Sequence, residues 1–276
     1  MANTDFDLGW DGLEMVNTGT KVLVADDSST IRAMVKRELE AARPDLDIHL
    51  ASDGLEAVEK LSAEEFDIAF LDIMMPHLSG IDVIATALKS ERKTMAVSMS
   101  TNLSDDDASR LKRFGAYDFL TKPVTAEDIR NVLNAYDRIT EPANVMIVDD
   151  SPTVCKIVAM VLERSLFNLE VTTAPNGKAA LKHAEAKDFR IVFTDYNMPE
   201  MNGIELAAAL AQRGHTSDVI MMSTDISASL NKSAEEVGAR AFLKKPFFPE
   251  DVDSILHHMF GLRHARFSKH VKLLAE

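Results

Sequence analysis

The chain alternates between short apolar runs and longer segments with helical spacing. Its first half contains five apolar runs without strict polar alternation: "KVLVAD", "DIHLAS", "DIAFLD", "MAVSMS" and "YDFLTK". Such runs are typical of strands buried on both faces of a parallel sheet. Between them, apolar positions recur every three or four residues, as in "STIRAMVKRELEAA". This spacing predicts amphipathic helices.

The same series occurs a second time, without gaps, 123 residues further along the chain. The second set of predicted strands is "NVMIVD", "LEVTTA", "IVFTDY", "VIMMST" and "AFLKKP". Glycines and prolines keep the same offset: Gly54 and Gly177, Pro76 and Pro199, Gly80 and Gly203. So many special residues in register indicate a tandem duplication. We therefore predict an α/β fold with two (βα)5 doubly wound parallel-sheet domains in tandem.

The pattern divides the chain into five parts. An acidic N-terminal segment covers residues 1–19, the first domain residues 20–138 and a short linker residues 139–143. The second domain covers residues 144–260, and a basic tail covers residues 261–276. In the tail, Leu262, Phe267, Val271 and Leu274 fit one face of a helix. We expect this helix to extend the last helix of the second domain, with a docking segment as the alternative.

Composition and charge narrow the classes of function. The net charge of −14, which is spread over both halves, argues against direct binding of nucleic acid. No apolar run is long enough to span a membrane, and the acidic start does not resemble a signal peptide. The single cysteine, Cys155, excludes an internal disulfide and fits a reducing compartment. We expect a cytoplasmic protein with no membrane contact.

Polar residues follow the predicted strands where each one ends. In the first domain these are Asp26, Asp27, Asp72, Ser100 and Lys122. In the second domain they are Asp149, Asp150, Asp195, Ser223 and Lys245. Ligands of open parallel sheets gather at the carboxyl ends of the strands. We therefore expect three carboxylates, a hydroxyl and a lysine to meet at one edge of each sheet.

Three neighbouring carboxylates are unfavourable alone. Two unit charges about 4 Å apart repel by about 1 kcal/mol in water and by about 4 kcal/mol at an effective dielectric near 20. Either one carboxylate holds a proton or a hard divalent cation lies among them, and Mg²⁺ suits such oxygen ligands. A lysine across the cleft suits phosphate. Together these groups favour phosphoryl transfer to a carboxylate. For a single residue, a helix N-cap formed by Asp27 or Ser28 is the simpler interpretation.

Both halves resemble the receiver domain of bacterial two-component response regulators, which has a CheY-like, flavodoxin-like fold. The motifs that carry the resemblance are "VADDSS" and "IVDDSP", "LDIMMPHLSG" and "TDYNMPEMNG", "SMST" and "MMST", and "GAYDFLTKP" and "GARAFLKKP". The resemblance covers about residues 20–260. It implies a response regulator that accepts a phosphoryl group from a histidine kinase or a histidine phosphotransfer protein.

The resemblance also implies roles for single residues. Asp72 and Asp195 correspond to the phosphoacceptors, and Lys122 and Lys245 to the lysines that contact the phosphoryl group. Each domain would bind one Mg²⁺. The implied ligands are Asp26, Asp27, Asp72 and the carbonyl of Met74 in the first domain, and Asp149, Asp150, Asp195 and the carbonyl of Asn197 in the second.

A two-state switch is implied as well. Ser100 and Ser223 align with the switch hydroxyl, but each is followed by a threonine, Thr101 and Thr224, which leaves the register open by one residue. Phe119 and Phe242 match the switch aromatic, with ordinary core residues as the alternative. We expect a downstream protein target on the α4-β5-α5 face and leave a homodimer open.

Several functions remain open at this stage. The chain can act as a signalling protein through protein contact, as a phosphate sink, or as the regulatory half of a larger effector such as a diguanylate cyclase. We expect no enzymatic activity beyond self-catalysed phosphotransfer and autodephosphorylation. An aspartate-nucleophile phosphatase of the haloacid-dehalogenase type is disfavoured, because "ADDSST" does not supply its D-x-D-x-T/V motif.

Overall fold

The computed structural model describes residues 19–87, 93–225, 227–262 and 270–274. Residues 1–18 of the expected acidic segment lie outside this part, as does Phe267 of the tail. Among the described residues, no helix is both long and apolar enough to cross a bilayer.

The first domain contains five strands and five helices. They are β1 (Lys21–Ala25), α1 (Ser29–Ala42), β2 (Asp47–Ala51), α2 (Gly54–Ala63), β3 (Ile68–Asp72), α3 (Gly80–Ala87), β4 (Met95–Ser100), α4 (Asp105–Arg113), β5 (Asp118–Thr121) and α5 (Ala126–Thr140). The strand order is β2-β1-β3-β4-β5, and all neighbours pair in parallel.

The second domain repeats this order and adds one strand. Its elements are β6 (Ala143–Val148), α6 (Pro152–Arg164), β7 (Leu169–Ala174), α7 (Gly177–Ala184), β8 (Ile191–Asp195), α8 (Gly203–Gln212), β9 (Asp218–Ser223), α9 (Ala228–Glu236), β10 (Ala241–Lys244), α10 (Pro249–Met259) and β11 (Val271–Leu273). The strand order is β11-β10-β9-β8-β6-β7. The predicted tandem of doubly wound parallel sheets is confirmed.

Both faces of each sheet are buried, which explains the apolar runs in the sequence. In β1, Val22 and Val24 join the apolar cluster on one face, whereas Leu23 and Ala25 join the cluster on the other. Side chains alternate between the faces of a strand, so a strand covered on both faces needs apolar residues throughout.

The described part of the tail forms a strand, and the prediction of a helix there is wrong. Helix α10 ends at Met259, and Gly261 adopts a left-handed conformation with φ +65°, which stops the helix. Strand β11 then pairs antiparallel with β10, placing Val271 opposite Leu243. Since β10 would otherwise be an open sheet edge, the tail satisfies its unpaired backbone groups.

The junction between the domains is short and well bonded. Of the expected linker, Ile139 and Thr140 belong to α5 and Ala143 belongs to β6. Asn168, in the turn after α6, donates its backbone N–H to the Ile139 carbonyl (2.9 Å) and its side-chain amide to the Thr140 carbonyl (3.0 Å). The second domain thus satisfies carbonyls that the end of α5 leaves unpaired. One buried apolar cluster accordingly runs through both domains.

Strand β11 gives a first prediction. Val271 is buried, so Val271→Asp would place a carboxylate against apolar neighbours and lower the free energy of unfolding of the second domain by about 1–3 kcal/mol. Urea unfolding followed by circular dichroism measures this change. Lys272→Ala is the matched control, because the Lys272 side chain is exposed on the same strand. Equal midpoints for the two variants would contradict the observed pairing.

Candidate functional site

The turn after β1 fixes the first carboxylate. Asp26 is fully buried, and its Oδ1 accepts the backbone N–H of Ser28 at 2.9 Å. Ser28, rather than Asp27, is the N-cap of α1, and its hydroxyl accepts the N–H of Ile31 at 3.4 Å. Asp27 is therefore not needed to cap the helix, and its side chain is exposed beside Asp26. The second domain repeats the first contact, since Ser151 donates its N–H to Asp149 at 2.9 Å.

The next carboxylate ends the central strand of each sheet. Asp72 ends β3 and Asp195 ends β8, and both are buried. The helix after each of these aspartates returns very close to it: a Cβ on Gly80 would lie 2.3 Å from the Asp72 carbonyl oxygen. At Gly203 the corresponding distance to the Asp195 carbonyl oxygen is 2.5 Å. This close approach explains why both copies carry glycine there.

The loops after Asp72 and Asp195 share a strained position that sequence analysis missed. His77 and its counterpart Glu200 both have φ 67°, a left-handed conformation that non-glycine residues rarely adopt. Neither residue type signals such a conformation in the sequence. Strain of this kind persists only where the surrounding structure enforces it, and it is concentrated at functional sites.

Each lysine lies between two carboxylates. Lys122 Nζ is 2.6 Å from Asp26 Oδ2 and 2.8 Å from Asp72 Oδ1. In the second domain, Lys245 Nζ is 2.7 Å from both Asp149 Oδ2 and Asp195 Oδ1. The lysines follow β5 and β10, so this contact ties the last parallel strand of each domain to the first and third. The sequence predicted these residues at one edge, and the structure brings them together.

Burial and charge shift the titration of these groups. Burial raises the pKa of Asp72 and of Asp195, with a further rise from the adjacent Asp26 or Asp149, although the lysine ammonium opposes it. Burial alone would lower the pKa of Lys122, but its hydrogen bonds to Asp26 and Asp72 raise it overall. Each site therefore holds a charged lysine and more carboxylate charge than one lysine can balance.

The three acidic residues of each domain form a group that could hold a metal ion. Carboxylate oxygens of Asp26, Asp27 and Asp72 lie within 4.8 Å of one another, and the same holds for Asp149, Asp150 and Asp195. A donor set of oxygens alone, with one exposed carboxylate open to water, suits a hard cation that keeps part of its hydration shell. The residues present therefore fit Mg²⁺.

The predicted switch residues differ between the two domains in their hydrogen bonds and in their burial. The Ser100 hydroxyl donates to the carbonyl of Asn102 at 2.7 Å, within the loop after β4. The Ser223 hydroxyl accepts the N–H of Asp225 at 3.2 Å. Phe119 is half-buried, whereas Phe242 is fully buried on the strand that pairs with β11. The two aromatics are therefore in different environments.

Differences between the two sites surround a common centre. Two residues past Asp72, Met74 is 73% exposed, and Asn197 is exposed at the corresponding position past Asp195. Sequence analysis missed a further difference on the first helix of each domain. Arg32 donates to the carbonyls of Asp26 (2.6 Å) and Asp27 (3.1 Å), whereas its counterpart Cys155 makes only a 3.5 Å contact to the Asp149 carbonyl.

The pKa of Asp72 generates a second prediction. A carboxyl whose pKa is higher in the folded state destabilises the fold as pH rises above its unfolded value, because the folded protein then holds its proton more tightly. Asp72→Asn removes that cost, so we expect the variant to be more stable than the parent near pH 7. The difference should vanish toward about pH 4.

Urea unfolding at a series of pH values measures this effect. Asp106→Asn is the control, since Asp106 is exposed on α4 away from the lysine. A stability difference for Asp72→Asn that is independent of pH would contradict the assignment.

Curated proteins with similar sequences match single domains. The hybrid signal transduction histidine kinase G of Dictyostelium discoideum is 30% identical over 123 residues, which is 44% of this chain and 4% of that protein. A protein-glutamate methylesterase/protein-glutamine glutaminase of Thermotoga maritima is 37% identical over 113 residues, or 40% of this chain and 32% of that protein. The matched region thus spans a third or less of these relatives.

Some solved structures match across both domains. One of them is described as a putative two-component system response regulator/GGDEF domain protein, with 25% identity and a TM-score of 0.59. The match covers 88% of this chain and 98% of that chain. The family model of the response regulator receiver domain matches this chain twice, at residues 22–134 and 145–257. Those ranges contain both carboxylate–lysine centres, and the chain belongs to the family of response regulator receiver domains, with two such domains in tandem.

Proposed function

We propose that each domain accepts a phosphoryl group on aspartate, at Asp72 in the first and Asp195 in the second. The observation that carries this proposal is the lysine ammonium within 2.8 Å of the acceptor carboxylate and of a second buried carboxylate, present twice. The donor is a histidine kinase or a histidine phosphotransfer protein in the cytoplasm. The protein then signals by protein contact, without direct contact to nucleic acid or membrane.

The geometry supports one bond exchange per domain. A carboxylate oxygen of Asp72 attacks the phosphorus, the phosphorus–nitrogen bond of the phosphohistidine breaks, and the electron pair returns to the imidazole. Lys122 neutralises the transferred oxygens from a position already 2.8 Å from the acceptor. Bound Mg²⁺ would supply further neutralisation, held by Asp26, Asp27, Asp72 and the Met74 carbonyl, or by Asp149, Asp150, Asp195 and the Asn197 carbonyl.

Removal of the phosphoryl group by hydrolysis requires a water molecule to reach the phosphorus. We propose that self-catalysed phosphotransfer and this autodephosphorylation are the only catalysis that the chain performs. Ser100 and Ser223 are the proposed switch hydroxyls, and Phe119 and Phe242 the proposed switch aromatics. Breaking the Ser100–Asn102 contact would free that hydroxyl for a phosphoryl oxygen.

A second candidate is that the two domains regulate a larger effector, such as a diguanylate cyclase. The likeness of both domains to the solved response regulator/GGDEF domain protein favours it. The phosphoacceptor chemistry is the same in both candidates, and only the receiver of the signal differs. A phosphate sink remains a third use of the same chemistry.

The assignment of two acceptors gives a third prediction. We expect acetyl phosphate with Mg²⁺ to place up to two phosphoryl groups on the parent chain, one on Asp72→Asn, one on Asp195→Asn and none on the double variant. Intact-protein mass spectrometry counts them. Each single variant serves as the control for the other, since its remaining site is unchanged. A phosphoryl group retained by the double variant would place the acceptor elsewhere.

The contrast between Met74 and Asn197 gives a fourth prediction. An amide beside the phosphoryl group can hydrogen-bond the attacking water, whereas a thioether excludes it. We therefore expect the phosphate on Asp195 to hydrolyse about fivefold faster than that on Asp72, the rate equivalent of one average hydrogen bond. Decay of each single-acceptor variant, followed by mass spectrometry, measures the two rates.

The swap variant Met74→Asn, in the chain that carries Asp195→Asn, tests the cause. We expect it to raise the hydrolysis rate of the first domain toward that of the second. Leu55→Asn is the control, because Leu55 is also an exposed apolar side chain and is not next to the acceptor. Equal decay of the two domains would remove the basis for assigning a role to this position.

A further inference from the structure

The β5–α5 surface of the first domain is occupied by the second domain. Tyr117, which directly precedes β5, accepts the backbone N–H of Leu166 on its hydroxyl oxygen at 3.2 Å. Its ring lies 4.9 Å from the ring of His257 on α10 and 6.4 Å from that of Phe167. We call these four residues the interdomain contact. The second domain therefore takes up contacts of Tyr117 that another protein could otherwise make.

Further bonds fix the same two surfaces. The Asn168 bonds to the carbonyls of Ile139 and Thr140 lie beside the contact. Arg138 of α5 donates to the carbonyl of Gly261, just past α10, at 3.4 Å. The end of α5 is thus held against both the turn after α6 and the end of α10. Contacts from two elements on each side restrict sliding as well as separation.

The duplication offers an internal comparison at this place. Leu166, Phe167 and Phe260 correspond, at the offset of 123, to Arg43, Pro44 and Asp137 of the first domain. Phe167 and Phe260 are 1% exposed, with ring centroids 4.6 Å apart. Arg43 and Asp137 instead form an ion pair at 2.6 Å with the Asp137 side chain half exposed. At the positions of Phe167 and Phe260, aromatic residues stand only in the copy that buries them, and Phe167 contacts Tyr117 of the first domain.

The interdomain contact lies at one end of short rigid elements that lead to both candidate sites. Strand β5 has Tyr117 before it and Lys122 after it, with the half-buried Phe119 between them. Helix α10 begins at Pro249, four residues after Lys245, and carries His257. A shift of either lysine therefore acts through one strand or one helix on residues that touch each other across the domains.

We infer that the second domain is the partner that reads the phosphorylation of Asp72, through Tyr117 and the interdomain contact. This inference rests on the proposed function of Asp72. A phosphoryl group brings acceptor oxygens that compete with Asp26 for the Lys122 ammonium. The resulting movement of β5 changes how Tyr117 packs against Leu166 and His257. Because coupling between sites is reciprocal, the state of the second domain also affects phosphorylation of the first.

Hydrogen exchange on the full chain tests the inference. The chain carries Asp195→Asn, so that only Asp72 can accept a phosphoryl group, and acetyl phosphate with Mg²⁺ is the donor. We expect exchange of the backbone amides at residues 165–168 and 257–262 to change by about fivefold or more on phosphorylation. Intact mass measured in the same samples reports whether Asp72 is phosphorylated.

The two proposals fail in distinguishable ways. Phosphorylated Asp72 with unchanged exchange at both segments overturns the inference and leaves the proposed function in place. Absence of phosphorylation overturns the proposed function and the inference with it.

A conservative pair of variants tests the route. Tyr117→Phe removes only the acceptor for the Leu166 N–H, and we expect the exchange response to fall about fivefold, the equilibrium effect of one average hydrogen bond. Tyr136→Phe is the matched control, since it removes a hydroxyl bonded to Asp67 at 2.6 Å within the first domain. An exchange response that is full in Tyr117→Phe, or equally reduced in both variants, overturns the role of Tyr117.

Discussion

A lysine ammonium between two buried carboxylates is the interaction on which the rest of the structure depends. It lies at the carboxyl edge of each parallel sheet and joins the last strand of the repeat to the first and third. Removing the lysine would leave two buried carboxylates without a partner, and an uncompensated buried charge costs about 3–5 kcal/mol. The pair holds the acceptor edge together, yet an excess of negative charge remains there for a cation to balance.

The duplication preserved this centre and changed what surrounds it. Asp, Asp and Lys occupy the same positions in both domains. At the same offset, however, Arg32 corresponds to Cys155 and Met74 corresponds to Asn197. The largest change lies outside the sites, where an ion pair of the first domain corresponds to the aromatic surface around Phe167 and Phe260 in the second. The buried carboxylates and the lysine that joins them constrain the centre in both copies, but each copy has a different neighbour to pack against.

The difference between the shared centre and its varying surroundings also decides how much of the structure could be predicted from the sequence. Strands buried on both faces leave an unbroken apolar run, and the duplication repeats it, so the sheets and the residues at their edges were predictable. Strand β11 was not, because the spacing of Val271 and Leu274 fits one face of a helix, and only pairing with the distant strand β10 makes this segment a strand. The strained φ of His77 and the bond from Asn168 to the end of α5 likewise depend on distant backbone that leaves no local pattern.

The last parallel strand of each domain, β5 and β10, has different neighbours, and the energies of those contacts differ. In the first domain, Tyr117 before β5 and the end of α5 meet aromatic rings, several interdomain hydrogen bonds and a continuous apolar core, all of which an outside partner would have to replace. In the second domain, β10 is covered by three residues of β11, and each backbone bond contributes only about 0.5–1.5 kcal/mol. A short strand at the end of the described chain is easier to displace than a packed domain. The contacts beside β5 therefore hold the first domain against the second, and a partner displaces β11 from β10 more readily than it separates the domains.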